Sequence, residues 1–200
     1  MIFSNFIKCN NQIIAGAFAH TANRDWECDA DVQQLGKDPS KCPDIAKQLI
    51  RDDPGKNFKV ILGGGRRKLL PKEVMDDEGD FGQRLDGLNL IDEWQNTKKQ
   101  KNISAKYVFD RKSLMSLNHS ATDNLLGLFE SNHMQYHLDA NNETEPTLAE
   151  MTEAAIKVLI KDKNGFVLFV EGGKIDHAHH DNKAKKALDE TVEVNSLLKY

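Results

Sequence analysis

The sequence predicts an α/β fold with a mostly parallel sheet, on two observations. Two apolar, β-branched runs, "NFKVILGGG" (57–65) and "FVLFV" (166–170), each stop at glycines. Such continuous runs suit strands buried on both faces. Between and after them lie amphipathic segments of helical spacing, and strands alternating with helices argue for crossover connections. There is no internal repeat or low-complexity tract.

Taken in order, "CPDIAKQLIRDD" (42–53) places Pro43 at a first-turn position and Ile45, Leu49 and Ile50 on one face, predicting a helix. Residues 57–65 are the first strand, ended by Gly63, Gly64 and Gly65. Residues 67–145 are more irregular, with short helical pieces expected near 87–95 and 121–129. "PTLAEMTEAAIKVLIKD" (146–162) opens on Pro146 and repeats Leu148, Met151, Ala155, Val158 and Leu159 at helical intervals. It leads through Gly165 into the second strand, 166–170. From about 177 to 198, Ala184, Ala187, Leu188, Val192 and Leu198 predict a last amphipathic helix.

Composition narrows the function classes. Two hundred residues suit one domain, or a large piece of one, with a real core. Charged residues are 29% and the net charge is −4, a mixed and mildly acidic balance that offers no footprint for nucleic acid. No apolar run approaches the roughly 20 residues of a membrane span. The start, "MIFSNFIKCNNQII", lacks the basic opening and long apolar core of a signal peptide. Cys9, Cys28 and Cys42 fit no metal pattern. Three sequons, Asn102-Ile-Ser, Asn118-His-Ser and Asn142-Glu-Thr, are glycan acceptors if the chain enters the secretory route. In that case Cys28 and Cys42 could pair, leaving Cys9 over; otherwise all three are ordinary thiols.

The chemistry concentrates in "GFVLFVEGGKIDHAHHDNKAKKALDE" (165–190). Ligands in open parallel sheets bind beyond the carboxyl ends of the strands, and Glu171 sits just past such an end. Gly172 and Gly173 allow a tight turn there. Asp176 and His180 are four apart, which on a helix puts both on one face. A carboxylate and an imidazole that converge form half of a catalytic zinc site, and Glu171 is a hard oxygen donor suited to Mg²⁺. The alternative is an N-capped helix carrying a solvated histidine cluster.

"LFVEGGKIDHAHHDNKAKKAL" resembles the metal-binding segment of the alkaline phosphatases. "AGAFAHTANRDWECDADV" (15–32), "CPDIAKQLI" (42–50), "VILGGGRRKLLP" (60–71), "RLDGLNLIDEW" (84–94), "GLFE" (127–130) and "PTLAEMTEAAIKVL" (146–159) resemble that family in the same order. The details are those of the animal branch, insect enzymes among them. The likeness covers residues 15–200 and leaves 1–14 as a divergent or unrelated segment.

The resemblance implies a three-layer α/β/α sandwich around a mainly parallel sheet. It implies phosphate monoester hydrolysis with two Zn²⁺ and one Mg²⁺, in which a serine attacks phosphorus and a phosphoserine is then released. By motif, Asp176 and His180 would ligate the first zinc and Glu171 magnesium. Arg24 would bind two phosphate oxygens, a task that suits a planar guanidinium. His177 and His179 are not carried over as ligands. A Ca²⁺ site is implied through Glu130, the Phe129 carbonyl and Glu145, with Glu78 the fourth candidate. The parent protein is expected at the cell surface or outside the cell, as a homodimer, with a lipid anchor outside this sequence.

The departures from the family are as informative. No Asp-Ser-Ala nucleophile context occurs, and the Asp that bridges zinc and magnesium is missing. Asn11 and Ile13 stand where the family has His and the Thr or Ser of the magnesium site. The Asp-His pair of the second zinc and the final His of the first are also missing. The chain is therefore expected to be a central piece of an alkaline phosphatase, inactive alone. A non-catalytic secreted metal-binding glycoprotein that kept the scaffold is the second reading. Missing ends found in a longer transcript would separate the two.

Overall fold

The computed structural model describes residues 2–3 and 18–197. Cys9, Asn11, Ile13, Leu198 and most of the segment before residue 15 lie outside that set. The described strands are β1 (Ile2–Phe3), β2 (Val60–Gly63), β3 (Ala105–Val108), β4 (Asn124–Leu128) and β5 (Val170–Glu171). They form one sheet in the order β3-β4-β2-β1-β5, and every pair runs parallel. The helices are α1 (Asp29–Gln34), α2 (Ile45–Arg51), α3 (Leu90–Gln100), α4 (Arg111–Met115), α5 (Leu148–Leu159), α6 (Lys174–His180) and α7 (Ala184–Ser196).

Strand periodicity builds two cores, one on each face of the sheet. Ile61, Leu126 and Leu128 point one way, into Ile45, Leu49, Leu90, Ile91 and Trp94 of α2 and α3. Val60, Leu62 and Leu125 point the other way, into Leu148, Met151, Ala155, Val158 and Leu159 of α5. That alternation makes the expected three-layer sandwich. α5 is held at its start by a capping box: the Thr147 hydroxyl accepts from the Glu150 amide at 3.2 Å, and the Glu150 carboxylate accepts from Thr147 N at 3.1 Å. Asp44 caps α2, accepting from Lys47 N at 2.8 Å. Pro43 and Pro146 thus stand just before the caps, not in the first turns.

The structure corrects three other expectations. Residues 121–129 do not form a helical piece; 124–128 are strand β4, buried throughout. A short apolar run carries no period that separates strand from buried helix. Gly127 marks the difference, since a Cβ there would lie 2.6 Å from both Leu62 Cδ2 and Phe129 Cζ. The run 166–170 contributes only Val170 to a strand, and Phe166, Val167 and Phe169 are 42%, 81% and 50% exposed. β5 lies at the sheet edge, and among the described residues nothing covers these side chains. The helix expected over 177–198 is two helices, α6 and α7, broken where Asn182 takes φ 55°. Cys28 and Cys42 are both free thiols, so they do not pair. Burial pushes the Cys28 thiol up to about 12.

A buried charge knot fixes the loops at this side of the sheet. Arg84, fully enclosed, donates from Nη2 to Asp44 Oδ2 at 2.9 Å and to Asp86 Oδ2 at 2.6 Å. It reaches Asp29 at 3.8 Å and the Lys68 carbonyl at 3.2 Å. Lys68 in turn joins Asp31 at 2.7 Å and Glu27 at 3.1 Å. α1, α2 and the turn after Arg84 are thereby tied together.

Candidate metal centre at the strand ends

The carboxyl ends of β5, β2 and β4 carry nearly all the candidate residues. Glu171 is the last residue of β5. Gly172 then packs so closely under α7 that a Cβ would overlap the Val194 Cγ2 methyl. Gly172→Ala is therefore expected to cost about 1–3 kcal/mol by overpacking. Urea unfolding checks it; a change within about 0.5 kcal/mol, the range of neutral surface substitutions, would contradict the close approach.

α6 starts at Lys174, two residues earlier than Asp176, so Asp176 and His180 do share one face. His180 Nε2 lies 3.5 Å from Asp176 Oδ2, with the side chains 69% and 33% exposed. Beside them, the His133 and His177 rings meet edge to face at 4.6 Å. Arg24 sits on the loop before α1, its side chain 53% exposed and its Nε 4.0 Å from Asp25. Among the described residues, the one trio whose donor atoms all lie within 4.8 Å of one another is Asp29, Asp44 and Asp86. Arg84 already fills it. Glu171, Asp176 and His180 form no such trio.

A second acidic group forms where β2 and β4 end. Glu130 follows Phe129, whose amide donates to the Gly63 carbonyl at 2.8 Å. Glu145 is 4% exposed; its Oε1 accepts from Gln135 N at 2.8 Å, and its Oε2 has no hydrogen-bond partner. Burial and the adjoining Glu130 carboxylate push Glu145 up to about 8. Burial likewise raises Glu130, to which Glu78 adds repulsion. The structure thus brings Glu78, Glu130 and Glu145 near one another.

Arg66 organises this group and was not singled out from the sequence. Only 1% exposed, it donates to the Leu128 carbonyl at 2.7 Å, to Asp76 at 2.8 Å and to Glu78. Its signal was available: an arginine directly after three glycines at a strand end. Lys174 was also missed. It is buried, with Nζ 4.0 Å from the centre of the Tyr136 ring, and burial lowers its pKa. Tyr136 donates to Asp181 at 3.0 Å, and the His137 ring meets Asp189 at 2.8 Å. These contacts fasten the loop that carries Glu145 to α6 and α7.

Parallel strands with helices on both faces, and acidic and imidazole side chains past their carboxyl ends, define the class of α/β proteins that place their ligand site at the strand ends. A sequence model of the alkaline phosphatase family matches residues 9–200. The chain is 57% identical over 185 residues to the membrane-bound alkaline phosphatase of Bombyx mori, covering 92% of this chain and 34% of that protein. It is 48% identical over 186 residues to the tissue-nonspecific alkaline phosphatase of Gallus gallus, covering 90% and 35%. The crystal structure of Thermus thermophilus alkaline phosphatase shares the fold, with a TM-score of 0.71 at 24% identity, over 99% of this chain and 34% of that one. The chain belongs to the alkaline phosphatase family. It spans about a third of the length of the curated relatives it matches.

Proposed function

We propose that the chain is a central part of a zinc- and magnesium-dependent alkaline phosphatase that hydrolyses phosphate monoesters through a phosphoserine. The observation that carries this reading is the family match over residues 9–200, supported by the strand-end position of Glu171 and α6. Two donors each about 2 Å from a tetrahedral zinc lie about 3.3 Å apart. The 3.5 Å between His180 Nε2 and Asp176 Oδ2 fits that separation. When bound, zinc and magnesium supply Lewis acidity to the phosphoryl oxygens and the reacting oxygens. Asp176 and His180 would hold one zinc, Glu171 magnesium, and Arg24 would clamp and orient the phosphoryl oxygens. A TAB5 alkaline phosphatase variant with Mg bound in its M3 site, of the same fold, agrees with metal dependence. The experiment is metal content by mass spectrometry of the longer protein and its Asp176→Ala variant. Loss of zinc in the variant supports the assignment, and undiminished zinc contradicts it.

Calcium at Glu78, Phe129 O, Glu130 and Glu145 is the third metal reading. A buried carboxylate with an orphan oxygen and a raised pKa is what a cation site presents without its ion, and an oxygen-only donor set suits Ca²⁺. Calcium at about 100 times its Kd is expected to add about 2.7 kcal/mol, roughly 5–10 °C for a chain of this size. Glu145→Gln should remove most of that rise in a thermal melt. A variant that keeps the full rise would sink the site.

The cell surface is the proposed location, because the Bombyx mori relative is membrane-bound by name. No helix among the described residues is long and apolar enough to cross a membrane. Homodimerisation, a lipid anchor and glycosylation belong to the same proposal.

A further inference from the structure

α6 is seven residues long and carries both proposed zinc donors. Its start has no side-chain cap, because Gly173 occupies that position. A helix this short is not stable by itself, so packing must fix it. At about 100° per residue, Asp176 and His180 share one face. Lys174, Ala178 and Asp181 share another, about 150° around the axis. Tyr136 meets all of that rear face. Its ring centre is 4.0 Å from Lys174 Nζ, it joins Ala178 in a small buried cluster, and its hydroxyl donates to Asp181 Oδ2 at 3.0 Å.

The ring is itself held in place. Gln135 N, on one side of it in the chain, donates to Glu145 Oε1 at 2.8 Å, and His137 N, on the other, donates to Glu190 Oε1 at 2.8 Å. Lys183, in the turn after α6, and Lys186 of α7 bring their ammonium groups to 5.1 and 4.5 Å from the ring centre. An aromatic face attracts cations, so α6 and α7 are drawn to the same side chain. Tyr136 is 8% exposed, and these side-chain partners all lie within residues 174–187. The contacts are internal to the described chain and need nothing outside it. At the front face, Asp176 Oδ2 is buried without a hydrogen-bond partner. No bond at that donor atom aims it, so its direction comes from the helix behind it.

We propose that Tyr136 is a positioning residue for the zinc site: it braces the rear of α6 and so sets the rotation at which Asp176 and His180 face one ion. This rests on the zinc assignment proposed above. The phenol acts only through the helix. A one-residue slip of α6 would swing each donor by about 100°, and the pair would no longer converge.

The test uses the longer protein that contains this chain, as Tyr136→Leu, Tyr136→Phe and, to control for general loosening, Leu49→Ala in the core beneath α2. Zinc affinity is read by chelator competition, and site geometry by the absorption bands of cobalt substituted for zinc. Tyr136→Leu is expected to weaken zinc about tenfold, the low end for outer partners of a metal site, and to shift the cobalt bands. Tyr136→Phe keeps the ring and loses one hydrogen bond, so it should weaken zinc about two- to fivefold. Leu49→Ala should lower the unfolding midpoint and leave zinc affinity and cobalt bands as in wild type. Wild-type affinity and bands in Tyr136→Leu, or in Tyr136→Phe where the leucine variant does not fold, overturn the proposal. An equal change in Leu49→Ala overturns it too. Asp176→Ala is measured beside them. Zinc retained there means that the metal assignment itself fails. Zinc lost there, with the Tyr136 variants like wild type, means that the positioning role alone fails.

Discussion

Turnover of a chromogenic phosphate ester by the 200-residue chain is expected to be absent, even with zinc and magnesium supplied at alkaline pH. The covalent route needs an activated serine, and no serine here lies in an Asp-Ser-Ala context. Metal-ion catalysis needs a fixed coordination shell. In the assignment proposed above, Asp176 and His180 would supply two donors to one zinc, and no residue is assigned to a second. Serine-, zinc- and phosphate-binding roles act as a unit, so loss of the nucleophile alone removes the phosphoserine pathway. The comparison is a longer protein carrying the missing segments, assayed beside this chain. Turnover by the short chain that disappears in Asp176→Ala would mean a serine and metal shell that the residues above do not contain.

Arg84→Met is expected to be the most destabilising single substitution, at about 3–5 kcal/mol. Breaking a buried pair leaves the partner charges uncompensated, and here Asp44 and Asp29 are nearly fully buried. Asp44 would be left to cap α2 with only the Lys47 ammonium, 4.0 Å away, as counter-charge. Arg84→Lys should recover only part of the loss, because an ammonium cannot reach two carboxylates as a planar fork does. Proximity to Arg84 and Lys47, through their hydrogen bonds, outweighs burial and holds Asp86 below the usual carboxylate range. Its contribution is thus complete above the ordinary value of about 4 and drains away as pH falls through the lowered one. Urea midpoints for wild type and both variants, at neutral pH and at about pH 3, check this. A neutral-pH loss under about 1 kcal/mol, as for an exposed pair, would contradict the knot.

Much of this organisation is legible in the sequence because its signals are local. The β-branched run at 60–63, the helical spacing of Leu148, Met151, Ala155, Val158 and Leu159, and the i, i+4 pair Asp176 and His180 each announce themselves within a few residues. What escaped depends on contacts far along the chain. β4 hides because "NLLGL" has no period of its own, and only Leu62 and Phe129 explain its glycine. Arg66, Lys174 and Arg84 become meaningful once residues 10 to 62 positions away close around them. The run 166–169 misleads for the opposite reason: its apolar composition promises burial that the described neighbours do not provide. At the candidate site, motif likeness supplied the roles of Arg24 and Glu171, and geometry alone would not have assigned them.

That run also bears on how a cell would handle the protein. Phe166, Val167 and Phe169 project from an extended edge, and Leu188 and Val192 stand one helical turn apart on α7, 70% and 68% exposed. An extended aromatic segment in water is what holdase chaperones and proteases select when they triage newly made chains. Whatever shields those five side chains is therefore expected to lengthen the life of this polypeptide in a cell, with its abundance reporting on that shielding.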